Sequence, residues 1–195
     1  MPTARAEATA VGYQSKLIVV GGVTWRERIL TRLSTVELLD TTGERWYTCS
    51  NLPSPHAQLT GVVVDDTLYL LGGRGQDSPS SQVFAVSLSS LSTHQLTWQS
   101  LMCTPCCASA GVALYNKYLL AVGGRKQSDD ASQANAIHAL NPTTGSWVHI
   151  ADIPAGRSRT AVVAVADNRI MCIGGATRPT IDQNFSNVVW IGAFE

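Results

Sequence analysis

Five cysteines, four histidines and a set of arginines are the residues of this 195-residue chain whose types could do chemistry. Cys103-x-x-Cys106-Cys107 has the spacing of half a zinc site. A structural zinc ion takes four ligands, usually from a second such pair, and the chain has no second Cys-x-x-Cys. These thiols are expected to be ordinary loop cysteines, with no metal and no cofactor. Copper chemistry would need clustered His and Tyr ligands. His56, His94, His138 and His149 are scattered along the chain and are not expected to converge. No nucleophile motif, phosphate-binding glycine loop or pair of catalytic acids is present, and Asp65-Asp66 reads as a turn. The expectation is a protein that is not an enzyme, with no catalytic residue assigned. An odd number of cysteines without a framework suits a reducing compartment, so cytoplasmic localisation is expected.

The elements that would position any site are set by a repeat. Double glycines at Gly21-Gly22, Gly72-Gly73, Gly123-Gly124 and Gly174-Gly175 recur at a fixed step of 51 residues. A period of this length marks a repeat architecture. Each pair ends a short apolar run: Leu17–Val20, Leu68–Leu71, Leu119–Val122 and Ile170–Ile173. Such runs are too short for helices and rich in β-formers, so they predict buried strands. Polar pairs just upstream, Gln14-Ser15, Asp65-Asp66, Asn116-Lys117 and Asp167-Asn168, predict hairpin turns from a preceding apolar strand. A third strand follows a variable loop, at Val36–Leu39, Val83–Val86, Ile137–Leu140 and Val188–Ile191. A fourth carries Trp46, Trp98 or Trp147, recurrent residues expected to pack between sheets; Trp190, on a third strand, is also expected in the core.

Four antiparallel strands in tandem repetition are the plan of a β-propeller blade. Four hydrophobic residues, a double glycine and a spaced tryptophan resemble the kelch repeat, and the resemblance covers nearly the whole chain. It implies an all-β, kelch-type propeller of about four blades, at approximately 4–52, 53–103, 104–153 and 154–195, the last with three strands. Kelch repeats usually carry a Tyr before an Asp in the third strand. Here Leu39, Val86, Leu140 and Ile191 stand in the aromatic place, and Asp40 keeps the acid. The arginine that often opens the first strand is matched by Arg157, with Pro55 and Cys106 in the middle repeats. The resemblance further implies a protein-binding module. Many kelch proteins hold substrates for cullin-based ubiquitin ligases, with a BTB domain binding the cullin; others are cytoskeletal or signalling scaffolds, and some kelch-like propellers are metalloenzymes.

Kelch propellers usually close with about five to eight blades. Three arrangements stay open: a piece of a longer propeller, a ring completed by a second copy, or a tight four-bladed ring. Self-association through open edges is expected of an unclosed arc. Lys and Arg number 14 and Asp and Glu 14, so net charge points to neither nucleic acid nor membrane. No apolar run has transmembrane length, and Met1-Pro-Thr-Ala-Arg-Ala-Glu lacks the apolar core of a signal peptide.

The antiparallel order places the loops after the double glycines at one end of the blades, together with the turns near Pro55, Cys106 and Arg157. Ten basic residues and five acidic ones fall there, against four and nine on the rest of the chain. Nearly all of these bases are arginines, whose planar fork grips carboxylate or phosphate in two bonds. Two roles fit this surface: a receptor for a protein or acidic peptide, or solvated loops that keep the blades soluble. On the first, the partner-binding residues are Trp25, Arg26, Arg28, Arg74, Arg125, Arg157, Arg159 and Arg178. Trp25 is either an exposed anchor or packed on a neighbouring blade, and His56 is expected at the surface of an inter-blade turn.

Overall fold

The computed structural model describes residues 1–75, 80, 82–101, 109–125, 133–165, 168–177 and 185–194, and of Arg26 the backbone alone. The chain divides into two compact units, Met1–Leu101 and Met102–Glu195.

The first unit holds two four-stranded antiparallel sheets and a small ribbon. Its strands are β1 (Thr9–Tyr13), β2 (Lys16–Val20), β3 (Val23–Arg26), β4 (Ile29–Arg32), β5 (Val36–Asp40), β6 (Arg45–Cys49), β7 (Thr60–Val64), β8 (Thr67–Leu71), β9 (Val83–Ser87) and β10 (Gln99–Leu101). One sheet runs β1-β2-β5-β6, the next β10-β9-β8-β7, and β3 pairs with β4 alone. Each sheet is therefore a meander, as a propeller blade requires. The inner strands are apolar runs: β2 ends in three consecutive buried residues and β8 and β9 each hold four. Because successive side chains point to opposite faces, both faces of each sheet are covered there. Ile18, Val20, Val36 and Leu38 of the first sheet share a single buried cluster with Leu68, Leu70, Phe84 and Val86 of the second. A 3-10 helix over Leu88–Thr93 adds Leu88 and Leu91 to that cluster.

The second unit repeats the plan. Its strands are β11 (Gly111–Tyr115), β12 (Tyr118–Val122), β13 (Ala136–Asn141), β14 (Ser146–Asp152), β15 (Ala161–Val165), β16 (Arg169–Ile173) and β17 (Val189–Ala193). They form the sheets β11-β12-β13-β14 and β15-β16-β17. Leu120, Val122, Ile137 and Ala139 meet Ile170 and Cys172 in its core. Three of the expected two-residue turns are occupied as read, with left-handed backbone at Gln14, Asp65 and Asn116; in the fourth, Asn168 is also left-handed and Asp167 lies outside the described residues. Leu70 and Ala121, from the apolar runs, are buried. Trp46 and Trp147 lie on β6 and β14, whereas Trp98 sits just before β10.

The double glycine has two distinct jobs, seen at Gly21 and Gly22. Both have positive φ, +61° and +98°, which other residues rarely adopt. A Cβ on Gly21 would overlap the carbonyl oxygen of His56, which opens the next repeat. A Cβ on Gly22 would lie 2.6 Å from the Ala6 carbonyl oxygen of its own repeat. The Gly22 N–H donates to His56 O at 2.8 Å, and the Gly124 N–H donates likewise to Arg157 O at 2.7 Å. The pair thus seats one repeat directly on the backbone that begins the next.

Strand register corrects two sequence alignments. Thr9 pairs with Val20, Thr60 with Leu71, and Ala161 with Ile173. Counting four residues back from each first strand makes Arg5, His56 and Arg157 equivalent, so His56 rather than Pro55 stands in the arginine place. The reason is chain length: three residues join β15 to β16, and two join β1 to β2 and β7 to β8. The separate pairing of β16 with β17 makes Gly192, opposite Ile170, the counterpart of Leu39, Val86 and Leu140, in place of Ile191.

Candidate functional site

The stretch expected as a loop over 24–31 is an ordered hairpin, β3–β4, and it carries the largest exposed aromatic residue of the first unit. Its base is fixed by Val23, which is buried and exchanges two backbone hydrogen bonds with Ala6 at 2.8 and 2.9 Å. Trp25 lies opposite Leu30, and Arg26 opposite Ile29. Glu27 and Arg28 form the turn with φ of +49° and +66°, the two positive values that a tight two-residue hairpin needs. Side chains alternate along a strand, so Trp25 and Leu30 share one face and Ile29 lies on the other. Trp25 and Ile29 are each 65% exposed and Leu30 is 41% exposed. Ile29 and Leu30 do not stand out in the sequence. Each strand has only four residues, too few for alternation to stand out.

The arginines are placed unequally. Arg28 is exposed at the hairpin turn. Arg74 is half-buried; its backbone bridges Ala57, and its Nε is buried with no hydrogen-bond partner among the described residues. Arg125 is half-buried and bridges Gln133 through its backbone. Arg159 is exposed, has a left-handed backbone, and its N–H donates to Ser109 O at 2.8 Å. Arg178 lies outside the described residues, as does the side chain of Arg26. Arg157 departs from the expectation of a ligand-facing fork. It is 6% exposed, and its guanidinium carbon lies 4.6 Å from the centre of the Trp190 ring.

The register explains Arg157. Glu37, Phe84 and Trp190 are equivalent, each being the second residue of its third strand. In every case the opener of the first strand meets this residue. Arg5 Nη2 is 3.1 Å from Glu37 Oε1 in a fully buried ion pair, and Arg5 Nη1 also donates to Gly21 O and Thr35 O. His56 meets Phe84 edge to face at 5.1 Å. Arg157 covers Trp190. One position thus supports ionic, aromatic and cation–π versions of the same contact. His56 is accordingly buried, not on the surface of its turn. Burial pushes its pKa below 6.5, a hydrogen bond to the Ser54 carbonyl opposes this, and the charge of Arg32 adds to the lowering.

Two histidines do come together, against expectation. His138 on β13 lies opposite His149 on β14, with ring centres 5.5 Å apart. A register shift between Ile137 and His138 brings them opposite each other. His149 Nε2 is 2.9 Å from Asp152 Oδ1. Burial lowers the His138 pKa, the neighbouring His149 lowers it further, and Asp152 raises it. Among the described residues no three His, Cys, Asp or Glu side chains are grouped so as to hold a metal ion. Cys103, Cys106 and Cys107 lie outside the described residues. Cys49 and Cys172 are buried free thiols whose pKa values burial pushes up. Among the described residues no helix is long and apolar enough to cross a membrane.

This geometry can be set beside known proteins. A family model described as the KLHDC2/KLHL20/DRC7 Kelch-repeats domain matches residues 1–175. Alpha-scruin of Limulus polyphemus is 25% identical over 192 residues, 95% of this chain and 20% of that protein. Kelch-like protein 15 of Homo sapiens is 29% identical over 181 residues, 85% of this chain and 29% of that protein. N-acetylneuraminate epimerase 1 of Escherichia coli O6:H1 is 21% identical over 170 residues, 70% of this chain and 46% of that protein. The chain therefore spans less than half the length of each of these three relatives.

Proposed function

The chain belongs to the kelch-repeat family, with the blades of a β-propeller, and from that premise we propose that it is a protein-interaction module that grips its partner with the β3–β4 hairpin. The observation that carries this is the exposure of Trp25, Ile29 and Leu30 on the one hairpin β3–β4. Apolar surface left in water is unfavourable by about 25 cal/mol per Å², so such a cluster gains by being covered. Tryptophan and arginine are the residue types that most often dominate binding energy at interfaces. Arg28 stands in the hairpin turn beside Arg26, and Arg74 follows the next double glycine; within the second unit Arg125 and Arg178 follow the double glycines and Arg159 lies in the turn before β15, and this excess of arginine favours a protein or peptide with an acidic surface. Arg157 is withdrawn from this set because Trp190 occupies it.

Within a longer protein such a module would serve as the substrate-holding part of a cullin-based ubiquitin ligase; alternatively it is a cytoskeletal or signalling scaffold. Open sheet edges are where a second copy would attach. A binding role without catalysis is supported by the kelch-like relatives, and a cytoplasmic setting by the cysteine usage. The test is quantitative capture from cell extract by the chain and by its Trp25→Ala, Ile29→Ser double variant. Partners should be lost from the variant while its circular dichroism stays native. Identical capture profiles would remove the hairpin from consideration.

A further inference from the structure

Two imidazoles and a carboxylate share one face of the β11–β14 sheet, and a bulge in β14 puts them there. Leu140, Ala139 and His138 on β13 lie opposite Trp147, Val148 and His149 on β14, but Ile137 lies opposite Ala151 and Ala136 opposite Asp152. Ile150 is therefore an extra residue with no opposite number. Residues three apart on a regular strand face opposite ways. The extra residue reverses this, so that Ile137 and Ala151 turn to the core while Asp152 joins His138 and His149. The two histidine rings have their centres 5.5 Å apart and their planes at 71°, and His149 Nε2 is 2.9 Å from Asp152 Oδ1. The β5–β6 pair of the first unit has no such shift, and Glu37 and Thr48 stand there in place of the two histidines.

Edge-to-face packing explains why two rings touch. It does not explain a carboxylate brought round to one of them by a bulge. A carboxylate that accepts from Nε2–H fixes the tautomer and orientation of an imidazole, and leaves Nδ1 with a free lone pair. Beside it, burial and then the neighbouring His149 lower the His138 pKa, against the pull of Asp152, so this ring is neutral near neutral pH and has a lone pair of its own. Two imidazole nitrogens bound to one tetrahedral ion at about 2.0–2.1 Å hold their ring centres about 5 Å apart, close to the separation present here. The side chains of His149 and Asp152 are 53% and 54% exposed, so an ion reaches them from solvent.

We propose that His138 and His149 bind one divalent transition-metal ion of the zinc type between them, with Asp152 as the residue that positions His149. Asp152 is engaged with His149 and is not a third ligand. Water, or a donor atom from a partner protein, completes the coordination. Imidazole ligands favour zinc, copper or nickel, whereas magnesium and calcium take oxygen ligands. The site uses no residue of the β3–β4 hairpin and stands whether or not that hairpin binds a partner.

The experiment titrates zinc alone into the intact, isotopically labelled chain and follows the imidazole nitrogens by long-range proton–nitrogen correlation spectra. This readout is specific to each histidine, so zinc held by thiols elsewhere does not obscure it. The signals of His138 and His149 should shift together, with a single affinity. His138→Gln should weaken the response of His149 about tenfold or more, because one of two ligands is lost. Asp152→Ala should weaken both responses about tenfold, and Asp152→Asn, which still accepts from Nε2–H, should recover most of the affinity. Far-ultraviolet circular dichroism checks the fold of each variant. Silence of either histidine up to about 1 mM zinc overturns the proposal. So does a His149 response unchanged by His138→Gln, because no ion is then shared. Unchanged affinity in Asp152→Ala overturns the positioning role.

Discussion

At the scale of single residues, the contact between the opener of the first strand and the second residue of the third strand decides which charges are available for binding. Arg5 and Glu37 are a buried pair whose side chains are 0% and 3% exposed, and Glu37 also accepts from the Thr3 hydroxyl at 2.5 Å. Removing one partner of such a pair leaves an uncompensated charge in the interior, which costs about 3–5 kcal/mol. Glu37→Gln should therefore lower the urea midpoint strongly, a loss readable from equilibrium denaturation. Arg157→Glu should also destabilise, because it exchanges a cation over an indole face for a buried carboxylate. A charge reversal there cannot probe ligand binding. His56 makes stability depend on pH. Its folded pKa is depressed, so below the ordinary value of 6.5 the unfolded chain takes up a proton before the folded one does. Stability is then complete above that value and falls as pH drops from it towards the folded pKa. His56→Gln should shrink the loss in urea midpoint between pH 7.5 and 5.5. His138 is shifted in the same direction and supplies part of what remains. An unchanged loss in the variant would mean that His56 is not the group responsible.

At the scale of elements, the double glycine is the joint between repeats. Gly21→Ala meets two obstacles, a positive φ and the His56 carbonyl. Alanine at a position that needs positive φ destabilises by more than about 1 kcal/mol before any clash is counted. Gly43 sits in a turn with open space around its missing Cβ and no positive φ, so Gly43→Ala should stay within about 0.5 kcal/mol. Gly145 also has open space, but its φ of +69° makes it a poorer control. Thermal melts of Gly21→Ala and Gly43→Ala should separate clearly, and equal melting points would refute the joint. The strands, their turns and this joint were legible because they recur: the same residue types at the same step leave one consistent arrangement. The hairpin was not legible, because it occurs once and its strands are four residues long. Nor was the fate of Arg157. Sequence counts a surface arginine as free charge, whereas the side chain folds onto Trp190, 33 positions away. Trp25 was legible as an anchor candidate, but its exposure depended on β3 pairing with β4 instead of with a larger sheet.

At the scale of the whole molecule, two compact units with separate cores should not unfold as one. Repeat proteins distribute stability over local units and their interfaces, and units with smaller cores open first. The first unit gathers fourteen buried residues into its main cluster, including Leu88, Leu91 and Leu96 from the segment that leads to β10. The main cluster of the second unit holds seven among the described residues. Denaturation followed by far-ultraviolet circular dichroism should accordingly show two steps, the second unit melting at the lower urea concentration. Core truncations assign the steps. Leu70→Ala should move the later one and Leu120→Ala the earlier one, each by the roughly 2–5 kcal/mol typical of a buried leucine. A single cooperative transition, shifted alike by both truncations, would show that the units are energetically coupled into one.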